Sequence, residues 1–208
     1  MSTIGVLASG RGSNCEALLQ ATRAGRLHGC VVLVLSDRPD APVLEKARRQ
    51  GVDARHLDPG RAGARLTPDA EAAYVAALRE AGAEWVALAG FMRIVGKTLL
   101  GAFPERIVNI HPSLLPAFPG LEAQRQALEY GVQVAGCTVH FVNEGVDTGP
   151  IVMQTAVPVR RGDTVESLSL RILDQEHELY VRALNLLLSG RWRPEGRRVV
   201  ALDEEDGA

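Results

Sequence analysis

Short apolar runs alternate with amphipathic helical segments along most of the chain. The most informative run is CVVLVLS at residues 30–36, an almost continuous apolar stretch of the kind that is buried on both faces of a parallel sheet. Strands that alternate with helices are joined by right-handed βαβ crossovers. The pattern therefore predicts an α/β, Rossmann-like three-layer fold, with a mostly parallel central sheet and helices on both faces. The predicted strands are 3–8, 30–36, 52–57, 85–89 and a run from 107, and the predicted helices are 15–25, 41–50, 69–81 and 121–130.

The C-terminal part adds an antiparallel strand pair and a long final helix. Residues 136–142 alternate apolar and polar side chains, and residues 151–159 return beside them after a tight loop. Asp163 and Glu166, three residues apart, predict the N-terminus of a helix that keeps its period to Gly190.

Composition and charge limit the class of protein. The 208 residues are 46% hydrophobic and carry a formal net charge of −2, so we expect no general attraction to nucleic acid or to an anionic membrane. The three cysteines are odd in number and lack CxxC spacing, which favours a reducing, cytoplasmic location without a zinc site. We expect a single domain over 1–208, divided into a phosphate-binding half (1–105) and a catalytic half (106–190), with a disordered acidic tail at 200–208.

One stretch, residues 107–120, reads IVNIHPSLLPAFPG and has the character of an active-site segment. Alternate residues of a strand point the same way, so Asn109 and His111 share one face. Prolines then stiffen the turn that follows. The carboxyl end of a strand in an open α/β sheet is where ligands bind. A plainer interpretation stays open, in which His111 only caps a backbone carbonyl.

A glycine-rich turn, SGRGSN, follows the first predicted strand. Gly12 permits a tight turn, and the amides of Gly12, Ser13 and Asn14 open the next helix, where free donors and the helix dipole favour a phosphate. The turn is not a dinucleotide fingerprint, because Cys15 replaces the third glycine, and no GK[ST] follows. The alternative is an ordinary turn in which Ser13 is the N-cap residue.

These motifs together resemble the phosphoribosylglycinamide formyltransferase family over essentially the whole chain. The resemblance rests on four segments in the family's order and spacing, namely SGRGSN, AGFMRI, NIHPSLLP with FPG, and GCTVHFVNEGVDTGP. It implies transfer of a formyl group from 10-formyltetrahydrofolate, the co-substrate, to the amine of 5′-phosphoribosylglycinamide in de novo purine biosynthesis. It also implies small-molecule partners only, no metal, and a monomer or homodimer.

The resemblance also implies roles for individual residues. The substrate's phosphate and glycinamide groups would be bound by Gly12, Ser13, Asn14 and Glu176. The folate would be bound by Arg65, Met92, Arg93, Ile94, Val95, Asn109, Asn143, Glu144, Gly145, Val146 and Asp147. The catalytic set would be Asn109, His111 and Asp147.

Acyl-transfer chemistry explains why such a catalytic set is needed. An amine that attacks a formyl carbon creates a tetrahedral centre whose oxygen gains negative charge, so donors must be aimed at that oxygen. Asn109 and His111 are the expected donors. We expect Asp147 to keep His111 protonated, which would raise the pKa of His111 above its ordinary value of about 6.5.

The sequence departs from the family's pattern at two positions. Many members carry a histidine close after FPG, where this chain has Leu121 followed by Glu122, so Glu122 takes over that role or the role is absent. An arginine often found before the tyrosine of the middle helix is replaced by Glu71, which leaves Arg65 or Arg61 to contact the folate's glutamate tail. We also predict a cis peptide bond between Leu115 and Pro116.

Four other functions share some of these sequence features. Methionyl-tRNA formyltransferase shares the SLLP region but needs a further C-terminal RNA-binding domain. Formyltetrahydrofolate deformylase, a hydrolase, carries an additional N-terminal domain, whereas here the first predicted strand begins at residue 3. A transition-metal site built from His111, His140 and Asp147 is a third alternative. A non-enzymatic binding module is the fourth, and it would have no need for an amide, an imidazole and a carboxylate aimed together.

Overall fold

The computed structural model describes residues 1–60 and 63–202. The chain divides into two compact units, Met1–Asn109 and Ile110–Ala208. The expectation that 1–208 acts as one domain stays a prediction. No helix of the described residues is both long enough and apolar enough to cross a membrane.

The first unit is built on parallel strands. Hydrogen-bonded neighbours follow the order β3-β2-β1-β4-β5, and each of these pairs is parallel. Consecutive strands are joined through helices, as the alternation in the sequence predicted. The elements are β1 (Ser2–Leu7), α1 (Ser13–Arg23), β2 (Gly29–Ser36), α2 (Pro42–Arg49), β3 (Asp53–His56), α3 (Pro68–Glu80), β4 (Trp85–Leu88), α4 (Lys97–Ala102) and β5 (Ile107–His111).

The core of this unit explains why the strands read as apolar runs. The adjacent residues Val6 and Leu7 of β1, and Val34 and Leu35 of β2, point to opposite faces and are completely buried. Burying a large aliphatic side chain contributes roughly 1.5–3 kcal/mol relative to leaving it in water. Both faces of these strands are therefore covered, as expected for parallel strands of an α/β fold.

The second unit contains the antiparallel pair and the long helix. Its strand order is β6-β7-β9-β8, with β6 and β7 antiparallel, β7 and β9 parallel, and β8 and β9 antiparallel. The helix α6 packs on β6 and β7. The elements are α5 (Ala123–Tyr130), β6 (Val134–Phe141), β7 (Ile151–Pro158), α6 (Val165–Leu188), β8 (Trp192–Glu195) and β9 (Arg198–Ala201).

The start of α6 differs from the predicted cap. Thr164, not Asp163, is the N-cap residue, and it forms a capping box with Ser167. Asp163 instead accepts hydrogen bonds from the amide of Arg160 and from the guanidinium of Arg171. The physical reason is the extended backbone at Thr164, which aims its hydroxyl at the amide of Ser167, 3.2 Å away.

The α/β fold with a mostly parallel sheet is confirmed, and so is the antiparallel β6–β7 pair. The Leu115–Pro116 peptide bond is cis, as predicted. The hairpin of β8 and β9 was not predicted. The expectation of a disordered tail from residue 200 is wrong at its start, because Val200 and Ala201 pair with β8 through backbone hydrogen bonds. Residues 203–208 of that tail lie outside the described residues.

Candidate active site

His111 and Asp147 meet in the second unit, as the sequence predicted. The Nδ1 atom of His111 lies 3.3 Å from Oδ2 of Asp147. A second imidazole shares this carboxylate, because Nε2 of His140 lies 3.5 Å from Oδ1 of Asp147. Both imidazole side chains are almost completely buried, and only 12% of the Asp147 side chain is exposed. One carboxylate therefore bridges two buried histidines.

The remaining nitrogen of each imidazole faces a backbone carbonyl. Nε2 of His111 lies 2.9 Å from the oxygen of Phe118, and Nδ1 of His140 lies 2.8 Å from the oxygen of Phe141. Since a carbonyl oxygen only accepts, these two nitrogens carry the protons. With Nε2 protonated, a neutral His111 presents an unprotonated Nδ1 to Asp147, and a further proton turns that contact into a charge-assisted hydrogen bond.

The backbone holds Asp147 in place. Its φ of 53° lies in the left-handed region, which is uncommon for a residue with a side chain. The amide of Gly120 donates to Oδ2 of Asp147 at 2.8 Å. Within the loop, Oδ1 of Asn143 accepts from the amide of Gly145 at 3.1 Å and from the hydroxyl of Thr148 at 2.8 Å.

These surroundings keep Asp147 ionised. Burial alone would raise its pKa, but the hydrogen bond from His140, the amide of Gly120 and the charge of His111 outweigh burial. The pKa of Asp147 therefore lies below its ordinary value.

The prediction that the pKa of His111 is raised above its ordinary value is wrong. Its pKa is lowered, because burial disfavours the imidazolium and His140 adds repulsion. The carbonyl of Phe118 and the charge of Asp147 act in the predicted direction but do not outweigh burial. In the ligand-free protein, burial therefore favours the neutral imidazole of His111 over the imidazolium.

A buried polar network fixes the turn that follows His111. The hydroxyl of Thr138 donates to the carbonyl of Ser113 at 2.6 Å and accepts from the amide of Leu115 at 3.1 Å. Gln154 donates to the carbonyl of Leu115 at 3.0 Å and to Thr138 at 2.9 Å. Strands β6 and β7 thus hold the proline-rich turn that presents the Phe118 carbonyl to His111.

Asn109 lies on β5 in the first unit, two residues before His111. It is half-buried and pairs in parallel register with Leu88 of β4. The prediction that Asn109 and His111 share one face of this strand stays a prediction.

The glycine-rich turn leads directly into α1. Gly12 is the N-cap residue with φ of 70°, and no side chain caps this helix, so the interpretation of Ser13 as the N-cap residue is wrong. A Cβ at Gly12 would clash with the side chain of Val43. The helix start therefore needs glycine, and its first amides include those of Ser13 and Asn14. Binding of a phosphate at this turn stays a prediction.

The segment 92–95 is fastened within the first unit by polar side chains. Nε of Arg93 lies 2.7 Å from Oδ2 of Asp37, whose side chain is only 2% exposed, and Arg93 also donates to the carbonyl of Gly63. The hydroxyl of Ser9 accepts from the amide of Met92 at 2.8 Å. The guanidinium of Arg93 is therefore engaged by Asp37 and by the Gly63 carbonyl.

A buried glutamate fastens the next residues. Glu71 accepts from the amides of Gly96 and Thr98, the latter at 3.1 Å. A Cβ at Gly96 would clash with the Glu71 carboxylate. Glu71 occupies the position where the family often has an arginine, and its carboxylate accepts hydrogen bonds from backbone amides. Arg65, the predicted contact for the folate tail, is exposed and bridges Ile94 through its backbone.

Glu176 is buried on α6, beside Cys137 of β6. Burial, and then the charge of Glu176, raise the pKa of the Cys137 thiol to about 12. This thiol stays protonated at neutral pH and is a poor nucleophile. Glu122 is exposed and ion-pairs with Arg125 at 3.3 Å, which offers no support for a catalytic role.

The metal alternative receives no support from the described part of the chain, where no group of three histidine, cysteine or acidic residues could hold an ion. Ser9 and Asp37 were not predicted from the sequence, and His140 was grouped with Asp147 only in the metal alternative. Only the His140 contact had a sequence signal, since GCTVHFV places His140 just before the loop that carries Asp147.

Comparison with known proteins gives a consistent family. The sequence matches the family described as Formyl transferase over residues 2–184. It is 42% identical to phosphoribosylglycinamide formyltransferase of Bacillus subtilis, over 90% of this chain and 95% of that protein. It is 45% identical to the trifunctional purine biosynthetic protein adenosine-3 of Gallus gallus, of which it spans only 18%.

Solved structures that resemble this chain include members of the same family. Glycinamide ribonucleotide transformylase 1 from Symbiobacterium toebii is 58% identical, with a TM-score of 0.92 over 98% of this chain and 95% of that chain. A formyltetrahydrofolate deformylase from Pseudomonas syringae is 26% identical, with a TM-score of 0.88, and this chain covers 66% of it.

Proposed function

The chain belongs to the phosphoribosylglycinamide formyltransferase family, and we propose that it transfers the formyl group of 10-formyltetrahydrofolate to the amine of 5′-phosphoribosylglycinamide. The observation that carries this proposal is the pairing of buried His111 with the ionised Asp147, at the end of a strand that also carries Asn109. A cytoplasmic location and the absence of further macromolecular partners remain predictions.

The reaction is an acyl transfer without a covalent enzyme intermediate. The substrate amine attacks the formyl carbon, the carbonyl oxygen becomes an oxyanion, and the bond from carbon to the folate nitrogen breaks. The amine loses a proton and the folate nitrogen gains one. The side-chain amide of Asn109 donates to the oxyanion, and the negative charge that develops there makes such a donor more favourable in the transition state than in the ground state.

His111 needs two changes before it serves as the second donor. In the ligand-free protein its Nε2 proton is engaged by the Phe118 carbonyl, and burial lowers its pKa. We propose that binding of the formyl group replaces that carbonyl at Nε2, while Nδ1 takes up a proton against Asp147. The imidazolium then stabilises the oxyanion and delivers a proton to the departing nitrogen, directly or through water.

The binding roles follow from the same proposal. The amides of Gly12, Ser13 and Asn14 bind the 5′-phosphate at the start of α1, and Glu176 contacts the glycinamide group. The residues assigned to the folate are the segments 92–95 and 143–147 together with Arg65 for the glutamate tail. The chemistry requires no metal.

One assay tests the function directly. The purified protein is mixed with 10-formyltetrahydrofolate, and tetrahydrofolate formation is followed with and without phosphoribosylglycinamide. We expect turnover only when the amine acceptor is present. Equal turnover without the acceptor would refute the transferase and indicate a deformylase, the activity named for one of the similar structures.

A further inference from the structure

The C-terminal hairpin, β8 with β9, contacts both ends of the loop at residues 142–150 that carries Asp147. We propose that this hairpin positions Asp147 for the reaction, with Arg197 as the positioning residue. The inference rests on the proposed function of Asp147. The hairpin lies outside residues 2–184, over which the chain matches its family, so that match assigns it no role.

At the entry to the loop, the hairpin packs on Phe141, the last residue of β6. The ring of Trp192 lies 5.4 Å from the ring of Phe141 between centroids, and the Trp192 indole donates to the carbonyl of Leu187 at 3.0 Å. Aromatic pairs at this separation attract each other beyond the area they bury. Phe141 also supplies the carbonyl that holds His140. Trp192 therefore packs against the residue whose carbonyl orients His140 toward Asp147.

At the exit from the loop, the turn of the hairpin is bonded to the backbone. The guanidinium of Arg197 donates to the carbonyl of Thr148 at 3.1 Å. In the other direction, the carbonyl of Arg197 accepts from the amide of Ile151 at 2.8 Å. Thr148 is the residue immediately after Asp147, so Arg197 restrains the peptide between Thr148 and Gly149, one peptide beyond the residue that carries the catalytic carboxylate.

The loop needs such restraint because its conformation is strained. Asp147 has a left-handed backbone, and residues of this kind persist only where the surrounding structure determines them. A carboxylate that drifts by even about 1 Å loses much of its catalytic effect, because productive geometry is narrow. Contacts on both sides of the loop keep Asp147 within reach of His111 and His140.

A matched pair of variants tests this inference. Arg197→Ala removes the donor to Thr148, whereas Arg198→Ala removes an equal charge from the neighbouring residue, whose side chain pairs with Glu195 at 3.0 Å. We expect Arg197→Ala to lower kcat about fivefold, the kinetic equivalent of one hydrogen bond, with little change in KM for the nucleotide. Arg198→Ala should keep the parent's kcat, and Arg197→Lys should recover most of it.

Hydrogen exchange measured by mass spectrometry gives a readout that does not depend on turnover. Amides at 143–148 should exchange faster in Arg197→Ala than in Arg198→Ala, while the rest of the second unit exchanges as in the parent. Equal exchange in the two variants, or equal losses of kcat, would overturn the positioning role. A parent without acceptor-dependent turnover, but with the expected exchange difference, would refute the proposed function and leave the restraint of the loop standing.

Discussion

Replacing the bridging carboxylate by its amide, Asp147→Asn, should damage catalysis far more than folding. The contact with Gly120 survives, because the amide oxygen of asparagine still accepts from that backbone donor. The charge that faces the two imidazoles at 3.3 and 3.5 Å is lost. Charge-assisted hydrogen bonds contribute roughly 1–1.5 kcal/mol more than neutral ones, so two contacts give a loss of about 2–3 kcal/mol. At about 1.4 kcal/mol per factor of ten, kcat should fall roughly 30- to 150-fold.

The pH dependence of the variant follows from the same contacts. The charge of Asp147 raises the pKa of His111, although burial keeps that pKa below its ordinary value in the parent. Removal of the Asp147 charge lowers the pKa of His111 further, so the His111 imidazolium is lost at a lower pH. We expect kcat/KM, which reports the free enzyme, to decline with rising pH earlier in Asp147→Asn than in the parent.

The decisive measurement is a double-mutant cycle of kcat with His111→Asn, beside a thermal melt of each variant. The double variant should be little worse than the worse single one, because residues that act as one unit are strongly non-additive. Asp174→Asn, at an exposed position of α6, is the control for the charge change. Additive losses in kcat, or a collapse of Tm that accounts for the lost activity, would refute the paired mechanism.

Three further predictions concern other parts of the chain. Gly12→Val should weaken nucleotide binding much more than folate binding in a titration, because the new side chain clashes with Val43 and strains a left-handed residue; equal affinity would show that the turn binds no phosphate. Glu71→Ala should lower Tm by roughly 2–12 °C in calorimetry, since the amides of Gly96 and Thr98 lose their shared acceptor at about 1–3 kcal/mol in total; an unchanged Tm would contradict this. Asp163, whose pKa is lowered mainly by Arg171, stabilises the fold above its unfolded pKa of about 3.9. That contribution is lost on acidification, so Tm should depend less on pH below 4 in Asp163→Asn than in the parent.

The elements that could be predicted from the sequence are those set by short-range patterns. Alternation along β5 predicts one face for Asn109 and His111, and the glycines around Asp147 indicate a fixed loop. The direction of the His111 pKa could not be predicted in the same way. It depends on a balance between burial, the Phe118 carbonyl and the charges of Asp147 and His140, and burial is a property of the packed fold.

The missed contacts have identifiable causes. Asp37 and Arg93 are 56 residues apart, and no local pattern relates them. The register of β6 and β7 shifts between Val139 and His140, and such a bulge re-aims a side chain in a way that a two-residue period does not predict. The β8 strand contains Pro194, which by its missing amide argues against a strand in any reading by propensity.

That same proline affects how the molecule behaves among its neighbours in solution. In the second unit, β8 is the last strand in the order and pairs only with β9 among the described strands. A bare edge of this kind can recruit a strand from another molecule and start aggregation. Pro194 offers no amide there, and the charged side chains of Arg193 and Glu195 flank it. The hairpin therefore ends the sheet with a strand that is poorly suited to intermolecular pairing.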